Sequence, residues 1–260
     1  MLKFYSLILL VFIGAFASVA AGQKVLDKPI DQWSRKDAMD ILTSSPWAKI
    51  YSSNEGAASA AATEALRAQS DNSLRGRERS RSERAGGFPP VVFRLHSGLP
   101  IRLALIRLNQ IAANYDKMDA KGRTEFDESA RKLLECAACQ SYYIITVTKA
   151  PNPSGQEVEE AIFEGMKLEQ MKGNVSLRNE KGETRQPVQF IAPLKRGDSA
   201  VFVFSKKDEK GNLLLSKDSK SVSIVFDSAF LTTANRFAYL LPKSIEFEVS
   251  KITVADNVVF

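Results

Sequence analysis

The apolar positions follow two rhythms, first one of three to four residues and later one of two. Ala38, Ile41 and Leu42 carry the first and predict a short helix. Ser34 can cap it, and Asp37 stands three residues on, where a carboxylate can reach back to the free amides. Ser44-Ser45-Pro46 ends it, because proline disfavours helical geometry in the residue before it. Trp33 and Trp47 bracket this helix and are the only tryptophans in the chain. So brief a helix is unstable alone. The prediction is that Trp33 and Trp47 are docking aromatics that seat it on the main body. The alternative is an aromatic platform for a sugar or peptide.

After Pro89-Pro90, Val91–His96 reads as a strand ended by Gly98. Ile101, Leu105, Leu108, Ala112 and Tyr115 then recur at helical spacing, with Pro100 suited to the first turn. Asp119 to Gly122 reads as a break. Thr124 is the expected cap of a second helix carrying Phe126, Ala130, Leu133 and Leu134. "SYYIITVTKA" (141–150) is strand-like in its β-branched and aromatic content. Residues 156–171 read as a helix through Val158, Ile162 and Met166. The remainder follows the two-residue rhythm, with strands expected near 174–179, 186–192, 199–205, 212–216, 221–227 and 245–255. "AVFVF" (200–204) is apolar on both faces, which places it inside the sheet. Short connections favour antiparallel pairing, whereas the helical connection between the first two strands suggests parallel neighbours. The fold class is α+β, with helices covering one face of a mostly antiparallel sheet and the C-terminal third nearly all β.

Composition divides the chain further. Leu7 to Val19 is almost unbroken apolar sequence behind Lys3, and Ser18-Val19-Ala20 offers small residues for cleavage. That is the pattern of a secretory signal peptide over 1–20, cut near Ala20 or Ala21. An uncleaved anchor is the alternative, although the run is shorter than the roughly 20 residues of a spanning helix. Residues 21–52 hold the Trp-flanked helical segment. Residues 53–88 turn Ala-rich and then Arg/Ser/Glu-rich, with too little apolar surface to offset ordering, and read as a disordered linker. Residues 89–260 form the α+β domain. The localisation expected is periplasmic or extracellular. Lys and Arg number 36 against 30 Asp and Glu, a net charge of +6. That excess favours weak contact with anionic surfaces through the Arg-rich linker. No nucleic-acid motif is present.

Trp33-x4-Ala38-x2-Ile41-Leu42-x3-Pro46-Trp47-Ala48, "VFRLHSGLPIRLAL" (92–105) and "FVFSKKDEKGNLLLSKDSKSVSIVF" (202–226) together resemble a group of exported bacterial proteins of acidobacterial type. The resemblance implies export and a shared fold. It brings no activity, cofactor or catalytic residue.

Candidate chemistry is sparse. Cys136 and Cys139 are the only cysteines, three positions apart at the end of a predicted helix. A thioredoxin-like pair would instead open a helix after a strand, where the helix end favours thiolate. Two cysteines and a single histidine cannot fill a closed zinc site. Gln140 excludes haem attachment of the CxxCH kind. A structural disulfide is the expectation in an oxidising compartment. His96 lacks a partner constellation, and Ser97 beside it points to the other face of a strand. Glu157, Glu160 and Glu164 line one side of a predicted helix, the usual solvated face, while Glu159 and Glu169 complete the acidic set. No G-x-S-x-G elbow, H-E-x-x-H or phosphate loop occurs. No catalytic residue, metal ligand or cofactor is assigned. The expected function is a non-enzymatic exported binding or accessory module. The alternatives are a hydrolase or transferase with dispersed carboxylates and, more weakly, a thiol-disulfide partner using Cys136 and Cys139.

Overall fold

A computed structural model describes residues 25–52, 90–150, 162–195, 197–227, 230, 241–254 and 257–258. The expected signal peptide (1–20), the expected linker (53–88) and Glu157, Glu159 and Glu160 lie outside the described residues.

The first helix, α1 (Arg35–Thr43), begins at Ser34, whose hydroxyl and amide exchange hydrogen bonds with Asp37 in a capping box. Pro46 stops it, and the chain then forms β1 (Ala48–Tyr51), a strand the local pattern did not mark. β1 pairs antiparallel with β2 (Val91–Leu95). Helices α2 (Leu99–Ala112) and α3 (Ala120–Glu135) and the short α4 (Ala137–Ser141) lead to β3 (Tyr142–Lys149). β2 and β3 pair antiparallel, not parallel. The physical reason is the connection: two long helices run out and back, so the chain re-enters the sheet reversed, whereas a parallel pair needs one crossover. α3 starts earlier than expected because Asp119, read as part of a break, caps it by accepting from the Gly122 amide at 2.7 Å.

The described remainder is mainly strand: a single turn α5 (Leu168–Met171), then β4 (Val175–Asn179), β5 (Thr184–Arg185), β6 (Pro187–Ile191), β7 (Ala200–Ser205), β8 (Ser221–Phe226) and β9 (Ser244–Glu248). β10 (Thr253–Val254) and β11 (Asn257–Val258) make a separate small hairpin. Two expected strands are shorter or absent. Residues 212–216 form only one bridge, Leu213 to Lys207, because Asp208 accepts from the amides of Lys210 and Asn212 and curls the chain into a tight turn. β9 stops at Glu248, where a turn of 3-10 helix over Val249–Lys251 breaks the predicted run.

The α+β class holds, with two main antiparallel sheets where periodicity suggests one. One has the order β1-β2-β3-β7-β6 and the other β5-β4-β8-β9. The chain passes between them across Gln186, from β5 to β6. β7 lies between β3 and β6, an interior position that suits its apolar content. The sheets meet face to face through aromatic rings. Phe93 and Phe202 lie 6.1 and 6.5 Å from Phe226, both edge-on. Phe163, buried with a left-handed φ of 67°, packs 5.2 Å from Phe202 and 6.2 Å from Phe226. α1 and α2 join the same core through Ala38, Ile41, Leu42, Ile101 and Ala104.

Candidate functional site

The β4-β8-β9 sheet buries one face and leaves the other open. Val175, Leu177, Val222, Ile224, Phe226 and Phe247 point inward. Alternation therefore turns Ser176, Arg178, Ser221, Ser223, Val225, Ser244, Glu246 and Glu248 outward. Register sets them in rows. Arg178 lies opposite Ser223, which lies opposite Glu246; Ser176 lies opposite Val225, which lies opposite Ser244.

A depression of about 390 Å3 opens on this face, lined by Arg178, Ser223, Val225, Phe226, Asp227, Lys243 and Ser244. Arg178 and Lys243 are exposed and have no side-chain partner among the described residues. The acids along the same face are engaged. Glu246 accepts from the Ser221 hydroxyl at 3.2 Å, and Glu248 pairs with Lys251 at 2.7 Å. The Lys251 hydrogen bond, opposed by slight burial and helped by nearby Lys49, holds the Glu248 carboxyl below its usual range. Asp227 accepts from the Phe230 amide at 3.4 Å. A guanidinium, an ammonium and serine hydroxyls are all hydrogen-bond donors, and the first two carry charge. These are the donor types that pair with oxyanions.

The residues singled out in the sequence are dispersed. Trp33 and Trp47 are buried in the core. The Trp33 indole donates to the Lys28 carbonyl at 3.0 Å, and the Trp47 ring lies against Gly98. Cys136 and Cys139 form a close pair at disulfide distance, with their Cα atoms 5.3 Å apart. Cys136 ends α3 in a left-handed conformation, its amide donating to the Lys132 carbonyl. The chain does not pass straight from the pair into a strand, because α4 intervenes and holds Cys139 within it. Cys139 packs on Ile144 and Val203, on the face of the five-stranded sheet turned away from the other sheet. His96 is partly exposed at the end of β2, and burial together with Arg102 and Arg94 lowers its pKa. Ser97 is fully buried, and its hydroxyl accepts from the Ile144 amide at 3.2 Å. Of the acidic set, Glu164 and Glu169 are exposed. None of these residues lines the depression.

Among the described residues, no group of three or more His, Cys, Asp or Glu could hold a metal ion. No described helix is long and apolar enough to cross a membrane. Arg178, Ser223 and Lys243 escaped the sequence reading. Alternation places the first two on a wet face, but only the pairing of three strands gathers them with Lys243. Compared with family models, curated proteins and solved structures, the chain matches none.

Proposed function

We propose that this protein is an exported, non-enzymatic binding or accessory module that holds an acidic polysaccharide across the open face of β4, β8 and β9. One observation carries the reading: Arg178 and Lys243, both without side-chain partners among the described residues, line a depression that also holds the Ser223 and Ser244 hydroxyls. The sheet beneath is hydrogen-bonded across β4, β8 and β9, which fixes the backbone of the lining strands before a ligand settles on it. Charge-assisted hydrogen bonds to carboxylate or sulfate groups supply affinity. The leader pattern, the close cysteine pair and the resemblance to exported proteins of acidobacterial type support the location. The overall positive charge draws acidic polymers towards the surface.

Protein recovered outside the cytoplasm tests both halves. Its first residue, Ala21 or Gly22, reads the export half. Retention on immobilised polygalacturonate or heparin, with neutral dextran as the control, reads the binding half. The expected result is salt-sensitive retention that weakens roughly a hundredfold in an Arg178→Ala/Lys243→Ala double variant, the loss of two charge-assisted contacts. Equal retention of the double variant, or no preference for the acidic polymers, refutes the site. Turnover of a bound polymer refutes the non-enzymatic reading.

A further inference from the structure

A second basic group lies on the other sheet. Arg94 lies in β2, and His96 stands two positions on, in the turn closed by the Gly98 amide on the Leu95 carbonyl at 2.9 Å; Arg94 is among the charges that lower the His96 pKa. Arg102, on α2, acts on both His96 and Lys206, which follows β7. Phe93 faces the core, so its neighbour Arg94 projects from the opposite face of the sheet.

The cations here differ in how far the fold satisfies them. Arg102 is buried, and its terminal nitrogens donate to the carbonyls of Leu133, Leu134 and Ser97. The first two are otherwise free carbonyls in the last turn of α3, so Arg102 closes a helix end. Lys206 places its ammonium 5.5 Å from the centre of the Tyr143 ring. Arg94 uses only part of its fork. Its Nε donates to the Leu42 carbonyl at 2.8 Å, in the last turn of α1. Its two terminal nitrogens have no partner among the described residues, and neither does the His96 ring.

The electrostatics of the group are one-sided. Burial alone lowers Arg94 to about 10. Burial and the two arginines lower His96, and burial and Arg102 lower Lys206. No described carboxylate makes a salt bridge with any of the four. Positive charge drawn partly out of water without a counter-charge is costly, and the usual remedy is an anion. Arg94 is fixed at Nε and presents the remaining donors in the planar geometry that matches an oxyanion. Both Arg94 and His96 keep some exposure, so a ligand can approach from solvent.

We propose that Arg94 and His96 form an oxyanion site, receiving a phosphate, sulfate or carboxylate group on the free Arg94 nitrogens and the imidazole N–H, in the field of Arg102. The site lies on the five-stranded sheet and does not depend on the depression over β4, β8 and β9. The anion favours protonated imidazole, so binding raises the His96 pKa from its lowered value. By linkage, affinity rises as pH falls through that value. The charged groups that act on the imidazole are Arg94 from the strand before it and Arg102 from α2. Lys206 feels Arg102 but is not among the charges that act on His96.

His96 is the only histidine in the chain, so its ring Cε1–H resonance reports the site without overlap. The full chain is titrated with inorganic phosphate, sulfate and acetate, against sodium chloride at matched ionic strength. At least one oxyanion is expected to give a saturable shift, with the His96 titration moving up in pH when it is bound. The three anions distinguish tetrahedral from planar ligands. Sulfate, which stays doubly charged across the range, carries the pH series. Arg94→Lys should keep the fold by circular dichroism and bind roughly tenfold more weakly. The Arg178→Ala/Lys243→Ala variant should bind unchanged. A shift that follows ionic strength alone overturns the proposal. So does a folded Arg94→Lys protein of unaltered affinity, or loss of binding in the Arg178/Lys243 variant. If Arg94→Lys does not fold, the wild-type titration decides.

Discussion

Gly98 shows how one residue serves a contact remote in sequence. Its backbone angles, φ −69° and ψ 128°, are open to any residue. A Cβ there would lie 2.8 Å from Cδ1 of Trp47 and 3.0 Å from the Leu95 carbonyl oxygen. The glycine is thus required by the indole lying on it and not by conformation. Gly98→Ala must push the ring or the backbone aside, an overpacking change that costs about 1–3 kcal/mol. Urea unfolding should show a lower midpoint with an unchanged slope, and an unshifted midpoint would contradict the packing. The sequence marks Gly98 as the end of a strand and Trp47 as a ring that docks. That the two meet is invisible there, because 51 positions separate them in the chain. The same holds for Arg94. Its letter gives a cation, but only the fold shows one nitrogen engaged and two left over.

At the scale of the element, α1 is the clearest case of local coding. Ser34 and Asp37 satisfy each other's neighbouring amides at 2.9 and 3.1 Å, and their three-residue spacing announces this without any tertiary information. Burial pushes the Asp37 carboxyl up, but the Ser34 hydrogen bonds and nearby Lys28 and Lys36 outweigh it and hold the carboxyl below its usual value. A carboxyl depressed in the folded state adds stability above its unfolded pKa, about 3.9, and loses it as pH falls through the folded value. Ser34→Ala should therefore cost about 1 kcal/mol at neutral pH. Its effect should shrink below about pH 4, as Asp37 is protonated in either protein. Chemical denaturation at pH 7 and pH 3 checks this; a penalty that is the same at both excludes the carboxylate's part. α3 uses the same device less visibly. Its Asp119 cap is followed at the third position by Gly122, a residue that reads as a breaker, so the helix start is displaced in the sequence reading.

The whole molecule joins parts that composition separates. β1 adds a strand from the Trp-flanked segment to the five-stranded sheet, and Trp33, Ile41 and Trp47 share one core with Phe93, Phe202 and Phe226. Both tryptophans lie in that first segment, whereas most described backbone structure lies after residue 90. Fluorescence and far-ultraviolet circular dichroism therefore report different regions. With one shared core, the two signals should trace a single coincident transition in denaturant. Earlier loss of the tryptophan signal would mean that the segment folds apart from the sheets.

The sequence by itself determined the α+β class, most of the helices and strands, the capping of α1, the wet and dry faces of β8 and β9, and the proximity of Cys136 and Cys139. These follow from short-range geometry, where hydrogen bonds, turn chemistry and side-chain period act within a few residues. Only the tertiary structure decided that the strands split into two facing sheets, that β2 and β3 run antiparallel, and that the stretch after Pro46 becomes a strand. It alone gathered Arg178, Ser223 and Lys243 around one depression and set Arg94 beside a helix end. Strand register and the pairing of faces depend on burial summed across segments far apart in the chain, and a local reading of residues has no access to that sum.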